Sequence, residues 1–204
     1  TTIEIGSLIP ELSNLVLGSV SRKATLEYDL YEKPVHVEGD ENQLLQVFMN
    51  LVTNAAEAIG ENEGQIVVSS SLVKYDQKEL SLLDPQAEFK SGEYVRLSVS
   101  DTGPGLDKET MACIFDPFFT TKATGHGLGL SSVQGIIKRH GGGLVVESEK
   151  QKGTTFTVLL PTVNKASAPV ETATPAVLST GRKCILVADD ERALRDILSR
   201  TLKH

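Results

Sequence analysis

Five short segments in a fixed order constrain this chain more than its composition does. An asparagine-bearing run, Asn50-Leu51-Val52-Thr53-Asn54, comes first. Then follow Asp101-Thr102-Gly103-Pro104-Gly105, Phe115-Asp116-Pro117-Phe118-Phe119-Thr120-Thr121-Lys122, Gly125-His126-Gly127-Leu128-Gly129-Leu130 and Gly153-Thr154-Thr155-Phe156. Each alone is a weak signal. In order, they supply a hard oxygen ligand for a metal, an acceptor beside a glycine turn, a flexible cover, and backbone donors for phosphate. That is the set a nucleotide site needs.

The stretches between them set the fold class. Residues 3–5 alternate like a short strand, and 6–21 carry Leu8, Ile9, Leu12, Leu15, Val16 and Val20 at helical spacing. Residues 24–30 alternate as a strand. Asp40, with Gln43 three residues on, predicts the cap of a helix that runs to about Ile59, where Gly60 stops it. Strands are predicted over 64–74 and 92–100, with a polar loop over 75–91 between them. A helix over 128–140 ends at Gly141-Gly142-Gly143, and 144–149 with 154–160 make a closing hairpin. This order predicts an α+β fold, a two-layer sandwich with helices on one face of a mixed sheet.

In the helix over 40–59, Leu44, Val47, Phe48, Leu51, Val52 and Ala55 make an apolar face. Gln43, Gln46, Asn50, Asn54 and Glu57 stack opposite, at steps of three and four. A solvated face explains that stripe. So does a row of oxygen ligands, because asparagine is a poor helix former and its carbonyl suits magnesium. Asp101 to Gly105 is compatible with an ordinary strand-ending turn. It is also compatible with an adenine reader, since a carboxylate only accepts hydrogen bonds and so prefers adenine's amino group to guanine's carbonyl. Phe115, Phe118 and Phe119 suit either a core or the anchors of a mobile cover hinged at Gly125, Gly127 and Gly129. Lys122 reads as a phosphate partner or as an exposed lysine. The run from Gly125 to Leu130 opens a helix, and free amides there favour phosphate. It is neither a P-loop nor a dinucleotide fingerprint, as its spacing shows. His126 is read as a cover residue chosen for its backbone; His36, His140 and His204 belong to no motif and are read as structural.

Composition removes several classes. A net charge of -7 argues against a nucleic-acid partner. No apolar run approaches the roughly 20 residues of a membrane span, so no membrane contact is expected. The two cysteines, Cys113 and Cys184, make neither a disulfide framework nor a zinc site. The setting reads as cytoplasmic. The chain starts without Met and stops inside an amphipathic run, as a piece of a longer protein would. From Pro161 the sequence turns to Pro, Ala, Thr and Ser, and 163–181 reads as a linker between a domain at 1–162 and a segment at 182–204.

The ordered segments resemble the catalytic, ATP-binding domain of bacterial sensor histidine kinases, in the GHKL superfamily. The asparagine helix resembles the N box, 101–105, 125–130 and 153–156 the three glycine boxes, and 115–122 the F box. The resemblance spans roughly residues 3–162. It implies a Bergerat-type fold with five strands, three helices and a mobile lid over ATP. Asn54 would then ligate magnesium with Asn50 in support. Asp101 would read adenine, helped by Thr155 through a water, with Gly103 and Gly105 shaping that wall. Phe115, Phe118, Thr121, Lys122, Gly125, His126, Gly127, Leu128, Gly129 and Leu130 would complete the ATP site, with Lys122 on the phosphates. Many family members carry a basic residue three positions after the metal-binding asparagine. Here that position is Glu57, as in the nitrogen-regulator branch and many hybrid kinases, and no phosphate contact is expected from it.

A shorter segment, Ile185-Leu186-Val187-Ala188-Asp189-Asp190-Glu191, resembles the opening of a response-regulator receiver domain. Asp189 and Asp190 would be magnesium ligands there once the domain is complete. The parent is therefore expected to be a hybrid histidine kinase, either cytoplasmic or membrane-anchored. Its partners would be ATP and ADP, a histidine-bearing dimerisation domain and a receiver. The rival readings are a GHKL-type ATPase and a non-catalytic nucleotide-binding or docking module. Hydrolases of this superfamily place a glutamate base one turn before the metal-binding asparagine, where this chain has Asn50, which takes no proton at neutral pH.

Overall fold

A computed structural model describes residues 1–8, 23–83, 89–122 and 127–163. In chain order the elements are β1 (Thr2–Glu4), β2 (Ala24–Asp29), β3 (His36–Glu38), α1 (Glu41–Ile59), β4 (Gly64–Tyr75), α2 (Gln77–Leu83), β5 (Gly92–Asp101), α3 (Lys108–Cys113), α4 (Gly129–Arg139), β6 (Gly143–Glu149) and β7 (Gly153–Pro161). Residues 5–8 are also helical. Among the described residues, five strands form one sheet in the order β2-β4-β5-β7-β6. β2 runs parallel to β4 and every other pairing is antiparallel, so the sheet is mixed. β1 and β3 pair separately.

Strand alternation decides which side chains meet the helices. Val95, Leu97 and Val99 of β5 face the same side as Phe156, Val158 and Leu160 of β7 and Ile66 and Val68 of β4. Against them lie Leu44, Val47, Phe48, Leu51, Val52, Ala55, Ala56 and Ile59 of α1, with Val133, Ile136 and Ile137 of α4. The predicted apolar face of α1 is therefore its buried face. Phe48 lies in the middle of this core and is 1% exposed. Phe48→Ala should cost about 3–5 kcal/mol of unfolding free energy, read by urea denaturation, because it leaves a large void between helix and sheet.

The ends of α1 follow the predicted signals. Asp40 accepts a hydrogen bond from the Gln43 N–H at 3.1 Å. Gly60 ends the helix with φ +60°, its N–H donating to Ala56. His140 reinforces the start of α1. Its Nε2 accepts from the Asp40 N–H at 3.1 Å, which leaves Nδ1 to donate to the Ile136 carbonyl at 2.8 Å. The C-terminus of α4 is thereby tied to the cap of the helix that carries Asn50 and Asn54.

Three elements differ from the sequence reading. β3 is short and was not expected. The loop over 75–91 contains α2, whose Leu80 joins Phe89, Tyr94 and Leu159 in a small cluster on the reverse side of the sheet. α3 lies between the second and third expected segments, capped by Asp107, which accepts from the Thr110 N–H at 2.9 Å. Most of the helix expected over 6–21, the linker from 164 on and the segment 182–204 lie outside the described residues.

Candidate nucleotide-binding site

A cavity of about 580 Å³ is bounded by α1, the paired ends of β5 and β7, α3 and the start of α4. Its size suits a small-molecule ligand. Two chemically different ends face each other across it.

Asp101 marks the first end. It is the last residue of β5, at an inward position of the strand, and only 7% exposed. Its Oδ1 accepts the Gly103 N–H at 2.8 Å, and the Thr154 backbone N–H donates to the same carboxylate. Burial raises its pKa above the ordinary aspartate value, and the two backbone donors offset part of that rise. The turn after Asp101 folds tightly onto the β6–β7 connection. Gly105 has φ +66°, and a Cβ there would stand 2.2 Å from the Glu149 carbonyl oxygen, so no other residue fits. Leu106, Ile114 and Phe156 add apolar walls around the carboxylate. An apolar slot with one buried acceptor at its base suits a flat ring bearing an amino group.

Asn50, Asn54 and Glu57 mark the other end, one helical step apart along α1. Lys122 reaches them from the Phe-rich segment. Its Nζ donates to Asn54 Oδ1 at 3.0 Å and pairs with Glu57 Oε2. The Lys122 backbone N–H donates to Thr120 Oγ1 at 3.1 Å, which fixes the turn that carries it. α4 begins at the same place. Leu128 at its N-cap gives no side-chain cap, and Gly127 to Leu130 line the cavity. Uncapped amides and the positive end of the helix dipole favour an anion here. Asn50 Oδ1 lies against that first turn, 3.7 Å from where a Cβ on Gly129 would stand.

The donors at this end fit a divalent cation. Asn54 offers a hard carbonyl oxygen that already faces a positive charge, the Lys122 ammonium. Among the described residues no group of three or more His, Cys, Asp or Glu could hold a metal unaided. A cation here would take its remaining ligands from phosphate and water, as magnesium does.

Of the residues singled out from sequence, Asn50, Asn54, Asp101, Gly105, Thr121, Lys122, Gly127, Leu128, Gly129 and Leu130 line this one cavity. Gly103 stands beside it as a backbone donor to Asp101. Three do not reach it. Thr155 lies on the reverse side of the sheet, where its hydroxyl meets that of Ser100 at 2.8 Å. Its neighbour Thr154 pairs with Asp101 in the β5–β7 register and lines the cavity instead. Phe115 packs on the main core. Phe118 has φ +69° and is 75% exposed, and Phe119 takes the wall position. Gly125, His126, Asp189 and Asp190 lie outside the described residues. Phe118 and Gly127, on either side of residues 123–126, meet backbone to backbone. Phe118 N–H donates to the Gly127 carbonyl at 2.9 Å, and Gly127, at φ +66°, would set a Cβ 2.4 Å from the Phe118 carbonyl carbon.

The contribution of Thr154 over Thr155 is testable. Thr154→Val should weaken binding of ADP several-fold, about 1 kcal/mol, by removing a polar group beside Asp101. Thr155→Val should leave it unchanged. Isothermal calorimetry on the two variants checks both.

Residues 39–164 match the family model described as "Histidine kinase-, DNA gyrase B-, and HSP90-like ATPase". The chain belongs to that family. Among its relatives, the sensor histidine kinase ZraS of Escherichia coli (strain K12) is 36% identical over 160 residues, 78% of this chain and 30% of that protein. The sensor kinase CckA of Brucella abortus (strain 2308) is 35% identical over 205 residues, 95% of this chain and 21% of that protein. The chain thus spans less than a third of the length of these two relatives. Among solved structures, the catalytic domain of histidine kinase ThkA in a nucleotide-free form superposes with a TM-score of 0.60 at 32% identity, covering 79% of this chain and 94% of that one. The ATPase domain of this chain therefore has the fold of histidine kinase catalytic domains, with the mixed five-stranded sheet and the helices described above.

Proposed function

We propose that residues 1–162 are the ATP-binding catalytic domain of a sensor histidine kinase and present the terminal phosphate of ATP to a histidine on a dimerisation domain. The observation that carries this reading is the meeting of Asp101 with Asn54 and Lys122 across one cavity. Asp101 accepts the adenine amino group. Asn54, supported by Asn50, would hold the magnesium that accompanies ATP, and Lys122 with the first turn of α4 would hold the phosphate oxygens. Magnesium supplies charge neutralisation at the transferring phosphoryl group. The chain's own contribution is alignment, which phosphoryl transfer depends on most. An amide at Asn50 in place of a carboxylate favours transfer to histidine over hydrolysis, since nothing at that position draws a proton from water.

The rest of the parent protein is read from sequence and relatives. Residues 163–181 link this domain to the start of a receiver at 182–204, with Asp189 and Asp190 as its magnesium ligands when complete. The alignment with CckA, reaching 95% of this chain, supports kinase architecture beyond the ATPase domain. No helix among the described residues is long and apolar enough to cross a membrane, and the domain is proposed to work in the cytoplasm.

The test is transfer in trans. Mixed with radiolabelled ATP, magnesium and the parent's histidine-bearing helices, the chain should label those helices and remain unlabelled itself. Stoichiometric labelling of the chain alone, or steady ATP hydrolysis lost on Asn50→Ala, would overturn the reading.

A further inference from the structure

Glu57 is out of place in a phosphate site. It lines the end of the cavity where phosphates belong, and its carboxylate repels them. Its partner explains its presence. Asn54 and Glu57 stand three residues apart on α1 and present one continuous acceptor edge. The Lys122 ammonium sits on that edge, 3.0 Å from Asn54 Oδ1 and paired with Glu57 Oε2. The backbone of Lys122 is held at the same time by Thr120. Lys122 comes from the segment that leads into the cover, 65 residues from Glu57 in sequence, so the pair ties that segment to the helix bearing the site.

We infer that Glu57 is a positioning residue acting through Lys122: it holds the ammonium on Asn54 Oδ1, where a nucleotide-bound magnesium must go. The inference rests on the assignment of Asn54 to magnesium made above. A dication and an ammonium cannot share one carbonyl oxygen, because like charges about 3–4 Å apart repel strongly in a partly desolvated cavity. Loading of the magnesium nucleotide therefore requires Lys122 to leave Asn54. Glu57 makes the departure harder. The pair is half-exposed, with side chains 37% and 50% accessible, so its hold is small and sensitive to salt.

The experiment measures the magnesium concentration that half-saturates binding of a fluorescent ADP analogue by the full chain, for wild type and Glu57→Gln. The glutamine keeps the size of the side chain and removes its charge. Glu57→Gln should lower the magnesium requirement about threefold in low salt, and the difference should vanish near about 0.5 M salt, where exposed charges are screened. Hydrogen exchange at the Lys122 amide, without nucleotide, should quicken several-fold in the same variant. An unchanged or raised magnesium requirement in Glu57→Gln, or a lowered one with unchanged exchange at the Lys122 amide, overturns the latch and leaves the nucleotide site standing, provided wild type binds normally. Failure of wild type to bind the analogue at any magnesium concentration sinks the site and the latch together.

Discussion

Asp101→Asn is expected to abolish useful nucleotide binding while leaving the fold at least as stable as before. The two effects have one cause. In the native protein the carboxylate is buried and receives two backbone donors, from Gly103 and Thr154. Asparagine keeps its carbonyl oxygen toward those donors, so its amide NH2 points into the cavity. A donor then faces the adenine amino group, also a donor, and affinity should fall by about 100-fold, on the order of 3 kcal/mol, since a buried polar mismatch replaces a charge-assisted bond. Stability moves the other way. Burial raises the folded-state pKa of Asp101 above its unfolded value. Such a group contributes stability that is full below the unfolded value, about pH 4, and is lost as pH rises through the folded one. The melting temperature of Asp101→Asn should therefore equal or exceed that of wild type at neutral pH, with the gap closing as pH is lowered toward about 4. Nucleotide binding by wild type should also weaken on acidification at a higher pH than an ordinary aspartate would impose. Calorimetric binding and thermal melts across pH measure both. A destabilised Asp101→Asn that still binds ADP would make Asp101 structural.

Asn54→Ala should separate binding from chemistry. Asn54 is half-buried on the cavity side of α1 and contributes little to the core. Alanine is the better helix residue by roughly 0.5–0.7 kcal/mol, which offsets the loss of a partly exposed bond to Lys122. The variant should fold normally and bind the adenosine moiety, because Asp101 and its wall are untouched. It should lose the magnesium dependence of ADP binding and transfer phosphate to the histidine helices on the order of 10²–10³-fold more slowly, as when one preorganised contact to developing charge is removed. Single-turnover phosphotransfer assays at saturating ATP read this directly. Wild-type transfer rates in Asn54→Ala would remove it from the metal site.

Much of this arrangement is written in periodicity. The buried face of α1 follows from Leu44, Val47, Phe48, Leu51, Val52 and Ala55 at helical spacing, and its start from Asp40 three residues before Gln43. The strands of the sheet follow from alternation. β3 escapes because three residues, His36 to Glu38, are too few to show a period. α2 escapes because its anchor, Leu80, packs against Phe89, Tyr94 and Leu159, which all lie outside the helix itself. The choice of Thr155 over Thr154 had a corrective signal nearby. Phe156, Val158 and Leu160 are the apolar, inward set of β7, so the inward threonine must be the even-numbered one. No local pattern could have revealed the pairing of Glu57 with Lys122. It depends on where a loop 65 residues away returns to the helix.

The most direct measurement of the central claim is backbone amide chemical-shift mapping as ADP and magnesium are titrated into the chain. If adenine lies at Asp101 and phosphates at Asn54, one binding curve should move Gly103 and Thr154 at one end together with Asn54, Lys122 and Gly129 at the other. Shifts confined to one of these ends, or clustered at the opposite end of the β4–β5 ladder around Tyr75 and Gly92, would contradict a single nucleotide spanning the cavity.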